Sequence, residues 1–316
     1  MNLDNMSELE RIVVLMSTYN GEKYIKEQIN SILSQKEVDV FLIVRDDGSS
    51  DHTIDILDEY KKSSTSFDYI KGDNCGSTKS FSKLLEYAYQ KFNQNVLYSF
   101  ADQDDVWLET KLYIASQKID KKSAVPMLYC SNLTCVDRNL NYLHYMRKNI
   151  KAPYPKYCSL VEPIATGCTM VFNPEAARLY LLKYDTSVRM HDIFMSHIAA
   201  FIGDIIYDNQ SYILYRQHGN NQIGKRIGFI SIAKGKLKSM LSIRYQHLRE
   251  IDAKTFLEKF REHLNKEDKE IIEVVANYRK SIKIRLSFLL GEKGRKIRRV
   301  FSPNIWLYLR IIIGRV

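Results

Sequence analysis

The sequence has little of what marks secreted, membrane-spanning or repetitive proteins. Its five cysteines, at positions 75, 130, 135, 158 and 168, form no C-x-x-C pair, and an odd count argues against a complete intrachain disulfide framework. A reducing, cytoplasmic compartment fits that pattern. Met1 to Glu10 is polar and acidic, without the basic flank and apolar core of a signal peptide. The apolar run from Ile305 to Gly314 is too short and too interrupted to cross a bilayer, although it suits a position on one. The first βα turn, Ser17-Thr18-Tyr19-Asn20-Gly21, lacks G-x-G-x-x-G and so disfavours a nicotinamide dehydrogenase. There is no internal repeat and no low-complexity segment.

What is present is a chain of 316 residues, 45% hydrophobic, enough to bury a sizeable core. The net charge of +10 is unevenly placed: residues 225–316 hold 23 Lys and Arg against 9 Asp and Glu, a net of +14. The remaining 24 basic and 28 acidic residues leave residues 1–224 at −4. This predicts a mildly acidic body followed by a basic helical region, the latter suited to an anionic partner such as a lipid headgroup surface or nucleic acid.

Apolar runs of strand length alternate with stretches of helical spacing along the body. Arg11 to Ser17, Val40 to Val44, Phe67 to Ile70 and Val96 to Ala101 read as strands, and Tyr24 to Leu33, Thr53 to Lys61 and Lys79 to Phe92 as helices. Ser49, Ser50 or Asp51 is placed to cap the second helix. That alternation predicts an α/β fold with right-handed crossovers and a mainly parallel, Rossmann-like sheet flanked by helices. Further strands are expected at Pro126 to Cys130 and Thr166 to Phe172, with helices at Lys111 to Ile119, from Pro174 and over Ile193 to Phe201. A closing pair of strands is expected at Asp204 to Asp208 and Ser211 to Tyr215. From Lys225 the pattern is helical, basic and amphipathic.

The chemistry concentrates at strand ends. Asp102-Gln103-Asp104-Asp105 follows the apolar run Val96 to Ala101, at the carboxyl edge where open α/β sheets bind ligands. Clustered carboxylates there repel one another, and a divalent cation with bound phosphate offsets that cost, which makes Mg²⁺ or Mn²⁺ the natural guest. The plainer alternative is an acidic, N-capping turn. A second acidic turn, Asp46-Asp47-Gly48-Ser49-x-Asp51-x-Thr53, offers carboxylates able to accept from a pyrimidine N–H or a ribose hydroxyl; its alternative is an ordinary capped βα turn.

Taken in order, Ser17 to Gly21, Asp46 to Thr53, Asn74-x-Gly76 and Asp102 to Trp107 resemble the successive motifs of glycosyltransferase family 2, nucleotide-sugar-dependent enzymes of the GT-A fold. The resemblance runs on through Gly167 to Phe172, His191-Asp192 and Tyr215 to Asn221, covering about residues 10–222, and is most similar to bacterial rhamnosyltransferase-type members. It implies that Thr18, Tyr19 and Asn20 line a nucleotide pocket and that Asp46 and Asp47 hold base and ribose. It further implies that Lys79 reaches the nucleotide, that Asp102 and Asp104 flank ribose and metal, and that Gln103 is among the nucleotide-sugar-binding residues. Asp192 takes the place of the general base, with His191 where many relatives have Glu, and His218 is a candidate to complete the metal or diphosphate site. His197 and Met195 are read as packing or acceptor-groove residues.

The implied activity is inverting transfer of a sugar, rhamnose favoured, from dTDP-rhamnose or a UDP-sugar to a lipid-linked or polysaccharide acceptor in bacterial cell-surface or capsular polysaccharide synthesis. Residues 1–224 would be the catalytic domain. The basic region, residues 225–316, would hold the enzyme at the inner face of the cell membrane, with nucleic acid not expected as a partner. Two other readings compete: a phosphotransferase or phosphatase with Asp102 as nucleophile, and a non-enzymatic nucleic-acid binder using the basic region.

Overall fold

A computed structural model describes residues 9–92, 95–147, 150, 154–217, 247–297 and 311–312. The four apolar runs of the N-terminal part form β1 (Arg11–Thr18), β2 (Asp39–Asp46), β3 (Phe67–Lys71) and β4 (Leu97–Ala101). Between them run α1 (Ile25–Leu33), α2 (Thr53–Ser63) and α3 (Ser77–Phe92). All pairings among these strands are parallel, with Thr18 opposite Asp46, Asp46 opposite Lys71 and Met16 opposite Ala101. Their carboxyl ends therefore open on one edge, and the acidic turns predicted from sequence meet there. Asp51 is the residue that satisfies the start of α2, accepting from the Thr53 N–H at 3.1 Å.

Beyond β4 the sheet becomes mixed. Its further strands are β5 (Val106–Trp107), β6 (Met127–Val136), β7 (Tyr142–Tyr145), β8 (Val171–Phe172) and β9 (Asp204–Arg216). The order is β3-β2-β1-β4-β8-β6-β9-β5, with β7 on the side of β6. Among the described residues only the β6–β9 pairing in this half is parallel; β4–β8, β6–β8, β6–β7 and β5–β9 are antiparallel. The mainly parallel expectation holds for the first half alone.

Two local expectations change. The closing pair of strands is one continuous β9, because Asp208-Asn209-Gln210 forms an irregularity and not a turn. Register against β6 shifts between Ser131 and Asn132, and Asn209 hydrogen-bonds both the N–H and the carbonyl of Ile150 at 2.9 Å. The Thr166 to Phe172 strand shrinks to the two residues of β8, since Gly167–Thr169 makes a 3₁₀ turn in which the Gly167 carbonyl accepts from the Met170 N–H.

Strand β1 shows why the sheet is buried on both faces. Val13 and Leu15 point into one apolar cluster, and Ile12, Val14 and Met16 into another, as the two-residue period of a strand requires. The second cluster is covered by α1, α2 and α4 (Lys111–Ser116). The first is covered by α3, α5 (Pro174–Lys183), α6 (His191–Ile202) and the C-terminal helices α7 (Leu248–Phe260), α8 (Lys266–Asn277), α9 (Ile282–Leu290) and α10 (Glu292–Ile297). Phe194 and Ile198 of α6 share that core with Phe256, Phe260, Ile271 and Phe288.

Asn173 ties the mixed half together. Fully buried, it caps α5 by accepting from the Ala176 N–H at 3.0 Å, accepts from the Met127 N–H at 2.9 Å, and donates to the Val125 carbonyl at 2.9 Å. Asn173→Ala loses the cap and strands buried groups on β6, so urea denaturation is expected to show a loss of about 2–4 kcal/mol. A change under about 0.5 kcal/mol would show that these bonds are replaceable.

Candidate functional site

Gln103 braces the first turn of the site. Its Oε1 accepts from Thr18 Oγ1 at 2.6 Å and from the Tyr19 N–H at 2.9 Å, and its Nε2 donates to the Tyr19 carbonyl at 3.2 Å. Gly21 permits this arrangement, since a Cβ there would lie 2.7 Å from Thr18 Oγ1 and 2.8 Å from Gln103 Oε1. Asn20, in the left-handed region at φ 49°, accepts from the Ser50 N–H at 2.8 Å and so couples the first turn to the second.

In the second turn the two aspartates do different things. The buried Asp46 carboxylate accepts from the Gly48 and Ser49 N–H groups at 3.1 and 2.9 Å and from the Ser49 hydroxyl, holding its own loop. Asp47 reaches the cavity wall. Burial raises its pKa, but the Arg45 guanidinium and the Cys75 and Gly76 N–H groups, both at 2.9 Å, outweigh burial and hold the carboxyl below its usual range. Lys79 lies on a neighbouring depression with Arg45, Lys71, Asn74 and Lys83.

A cavity of about 270 Å³ opens at the sheet edge, and Thr18, Tyr19, Asp47, Gln103, His191 and Tyr215 are among its walls. Asp102, Asp104 and Asp192 all line it. Their convergence has an electrostatic consequence: burial, followed by the charges of Asp104 and Asp192, pushes the Asp102 carboxyl up to about 7. Behind it lie Asp105 and Cys168, both buried, whose ligand atoms and that of Asp102 fall within 4.8 Å of one another. Asp105 accepts from the Arg216 N–H at 3.2 Å, and its carboxyl is pushed well up by burial and by Asp102 and Asp104. Burial and the neighbouring carboxylates also raise the Cys168 thiol, so it is held protonated.

Close by, Lys111 is buried with Nζ 3.4 Å from the Trp107 ring centroid and 3.3 Å from Ser99 Oγ. Burial brings its pKa down to about 7.

His191 and Asp192 reach the cavity from the first turn of α6. The helix begins at His191 with Met190 as its cap, and the Asp192 carboxylate accepts from the Ile193 N–H at 2.8 Å. The His191 ring stacks on Phe81 at 4.0 Å and meets the edge of Phe100 at 5.0 Å. Neither ring nitrogen has a hydrogen-bond partner among the described residues, and burial lowers the pKa, so the imidazole faces the cavity neutral. His197 is a packing residue: buried against Phe256, with Nε2 3.3 Å from the Ser159 carbonyl, it is pushed down to about 4 by burial. Met195 is also buried.

Of the residues singled out from sequence, Thr18, Tyr19, Asp47, Asp102, Gln103, Asp104, His191 and Asp192 come together on this cavity. Asn20 and Asp46 organise the turns beside it, Lys79 sits on the adjacent depression, and His218 lies outside the described residues. Cys168, Lys111 and Arg216 were missed as parts of the site. Lys111, six residues after Asp105, has the look of an ordinary helix position, while Cys168 and Arg216 lie far along the chain, inside the resembling stretches Gly167 to Phe172 and Tyr215 to Asn221 but without a role assigned to either; Asp105 carried a signal by adjacency to Asp104.

Residues 13–181 match the family model for Glycosyl transferase family 2. The chain is 31% identical over 243 residues to the dTDP-rhamnosyl transferase RfbG of Shigella flexneri, covering 72% of this chain and 79% of that protein. A shorter match, 31% over 102 residues and 38% of the relative, is to the putative teichuronic acid biosynthesis glycosyltransferase TuaG of Bacillus subtilis. The fold is similar to that of S. aureus TarS 1-349, with a TM-score of 0.53 at 18% identity over 89% of this chain and 75% of that one. The same protein in complex with UDP-GlcNAc gives a TM-score of 0.51 at 17% identity, covering 96% and 92% of the two chains. A GT-A-like sheet with converging acidic turns, a family match over more than half of the chain and a relative that shares most of its length place this chain in glycosyl transferase family 2, as a glycosyltransferase.

Proposed function

We propose that this enzyme transfers a sugar, rhamnose favoured, with inversion from a nucleoside diphosphate donor to a hydroxyl of a lipid-linked or polysaccharide acceptor in bacterial cell-surface polysaccharide synthesis. The observation that carries this reading is the convergence of Asp102, Asp104 and Asp192 on one cavity. RfbG's name supports dTDP-rhamnose as donor, and the TarS complexes with UDP and UDP-GlcNAc support a nucleotide sugar in general. Family membership supersedes the phosphotransferase and nucleic-acid-binding alternatives.

The donor set fits a divalent cation. A carboxyl raised to about 7 by burial and then by two neighbouring carboxylates, with a second buried carboxylate oxygen on Asp105 that has no hydrogen-bond partner among the described residues, is a site short of positive charge. Asp102 and Asp104, the oxygen donors that face the cavity, would hold Mg²⁺ or Mn²⁺, and a thiol such as Cys168 suits neither ion. When bound, the ion supplies positive charge against the departing diphosphate. The chain's own residues do the rest. Thr18, Tyr19 and Asp47 receive the nucleotide, with Asp46 and Asn20 keeping their turns in place. Asp192 accepts the proton of the attacking hydroxyl, and one base suffices because no covalent glycosyl-enzyme forms. His191, neutral between Phe81 and Phe100, offers a hydrogen bond to a sugar hydroxyl while the rings keep water away.

The basic region is proposed to hold the enzyme against an anionic membrane face. Among the described residues, Ile282, Leu286 and Leu290 lie one turn apart on α9 and are 65%, 46% and 74% exposed, beside the exposed Lys283. No helix among the described residues is long and apolar enough to cross a membrane.

Four outcomes check this reading. Calorimetry is expected to show nucleotide binding that needs Mg²⁺ or Mn²⁺ and is largely lost in Asp104→Ala. The Asp102 carboxyl lies above its usual 3.8 in the folded chain, so the folded state keeps a proton that the unfolded state has released between about 4 and 7. Metal-free wild type should therefore lose stability relative to Asp102→Asn as pH rises through that window, and Mn²⁺ affinity should fall by up to about tenfold per unit below pH 7. Asp192→Asn should lose about 10²–10⁴-fold in kcat while keeping metal and nucleotide affinity; near-normal turnover would move the base elsewhere. Finally, the full chain should float with anionic liposomes at low salt and be released by salt, each basic side chain contributing roughly 1 kcal/mol. Protein that stays unbound at low salt would remove the membrane from the proposal.

A further inference from the structure

Residues 185–190, which lead into α6, are held from two sides. On the donor side, Thr78 Oγ1 in the first turn of α3 donates to the Arg189 carbonyl at 2.9 Å. On the other, Arg189 donates through Nε at 3.1 Å and Nη2 at 2.7 Å to the two oxygens of Asp252 on α7, a bidentate pair whose carboxylate side chain is only 5% exposed. Arg249 reaches the same carboxylate at 3.4 Å, and Lys259 of α7 pairs with Asp185. Behind these contacts Phe194 of α6 lies 5.9 Å from Phe260, and His197 lies 5.4 Å from Phe256.

We infer that the Arg189–Asp252 pair is a positioning clamp, through which the C-terminal helices fix the loop ahead of α6 and so the place of the Asp192 carboxylate in the cavity. Arg189 stands three residues before Asp192, with only the capping Met190 and the stacked His191 between. A shift at Arg189 is thus passed along the chain to the base, and a displacement of about 1 Å at a reacting group can cost about 10²-fold in rate. The residues proposed to receive the nucleotide sit elsewhere, at the ends of β1, β2 and β4. The helices 248–297 thereby belong to the catalytic unit in addition to any surface they present to a membrane. This inference rests on the reading of Asp192 as the base.

The test uses the full chain with Asp252→Asn, Arg189→Gln and the double variant. Hydrogen exchange needs no substrate: amides of 186–194 are expected to exchange at least tenfold faster in each single variant, while those of 11–18 and 97–107 stay unchanged. With the nucleotide sugar that binds wild type, kcat should fall about 10–100-fold at unchanged nucleotide affinity and binding stoichiometry. The double variant should lie within about threefold of the worse single one, as expected for two groups acting as one. Unaltered exchange over 186–194 in the single variants, or a loss of nucleotide affinity matching the loss of kcat, overturns the clamp. Should Asp252→Asn fail to fold, Arg189→Gln carries the test, since that side chain is 27% exposed. An active Asp192→Asn would sink the base assignment, whereas the exchange measurement judges the clamp by itself.

Discussion

Repulsion among Asp102, Asp104 and Asp192 is the constraint on which the site depends, because a folded chain holds three carboxylates around one cavity only if the scaffold leaves them no way apart. Strand β4 supplies that scaffold: all five of its residues are buried, so the acidic turn that follows is anchored where it leaves the sheet. The turn then distributes its side chains by role. Gln103, the uncharged one, swings toward β1 and braces Thr18 and Tyr19, while Asp102 and Asp104 face the cavity and Asp105 turns inward to the Arg216 N–H. Crowding like charge in this way costs folding free energy, which the buried apolar scaffold around β4 has to offset.

The parallel half of the sheet was legible because it is buried on both faces, which turns β1, β2 and β4 into unbroken apolar runs with polar turns at their ends. The second half was not. Strands of two residues, such as β5 and β8, carry no periodicity, and the polar break Asp208-Asn209-Gln210 reads as a turn until the Ile150 backbone is seen to satisfy Asn209. In the site, Asp102, Asp104 and Asp192 showed themselves as charged residues at element boundaries. Cys168 and Lys111 did not, since their significance comes from what burial does to a thiol and an amine beside carboxylates, and burial depends on strands distant in sequence. Asp46 and Asp47 look alike in sequence; only their hydrogen-bond partners separate the loop-holding residue from the one at the cavity wall.

The division of the chain by charge at about residue 225 does not coincide with a break in packing. Phe256, Phe260, Ile271 and Phe288 complete the same apolar cluster as Val13 and Leu15 of the first strand. Charge patterning described a surface, whereas the core followed the apolar faces of the helices, and the two need not share a boundary.

That shared core also orders events in time. As the chain is made, β1 to β4 emerge first and can pair from contacts already present. Helix α6 finds part of its packing later, because Phe256 and Phe260, against which Phe194 and His197 pack, are made more than fifty residues further on. A nascent chain that has only its first two hundred residues thus leaves this part of an apolar helix face uncovered, a hydrophobic surface that the last helices close.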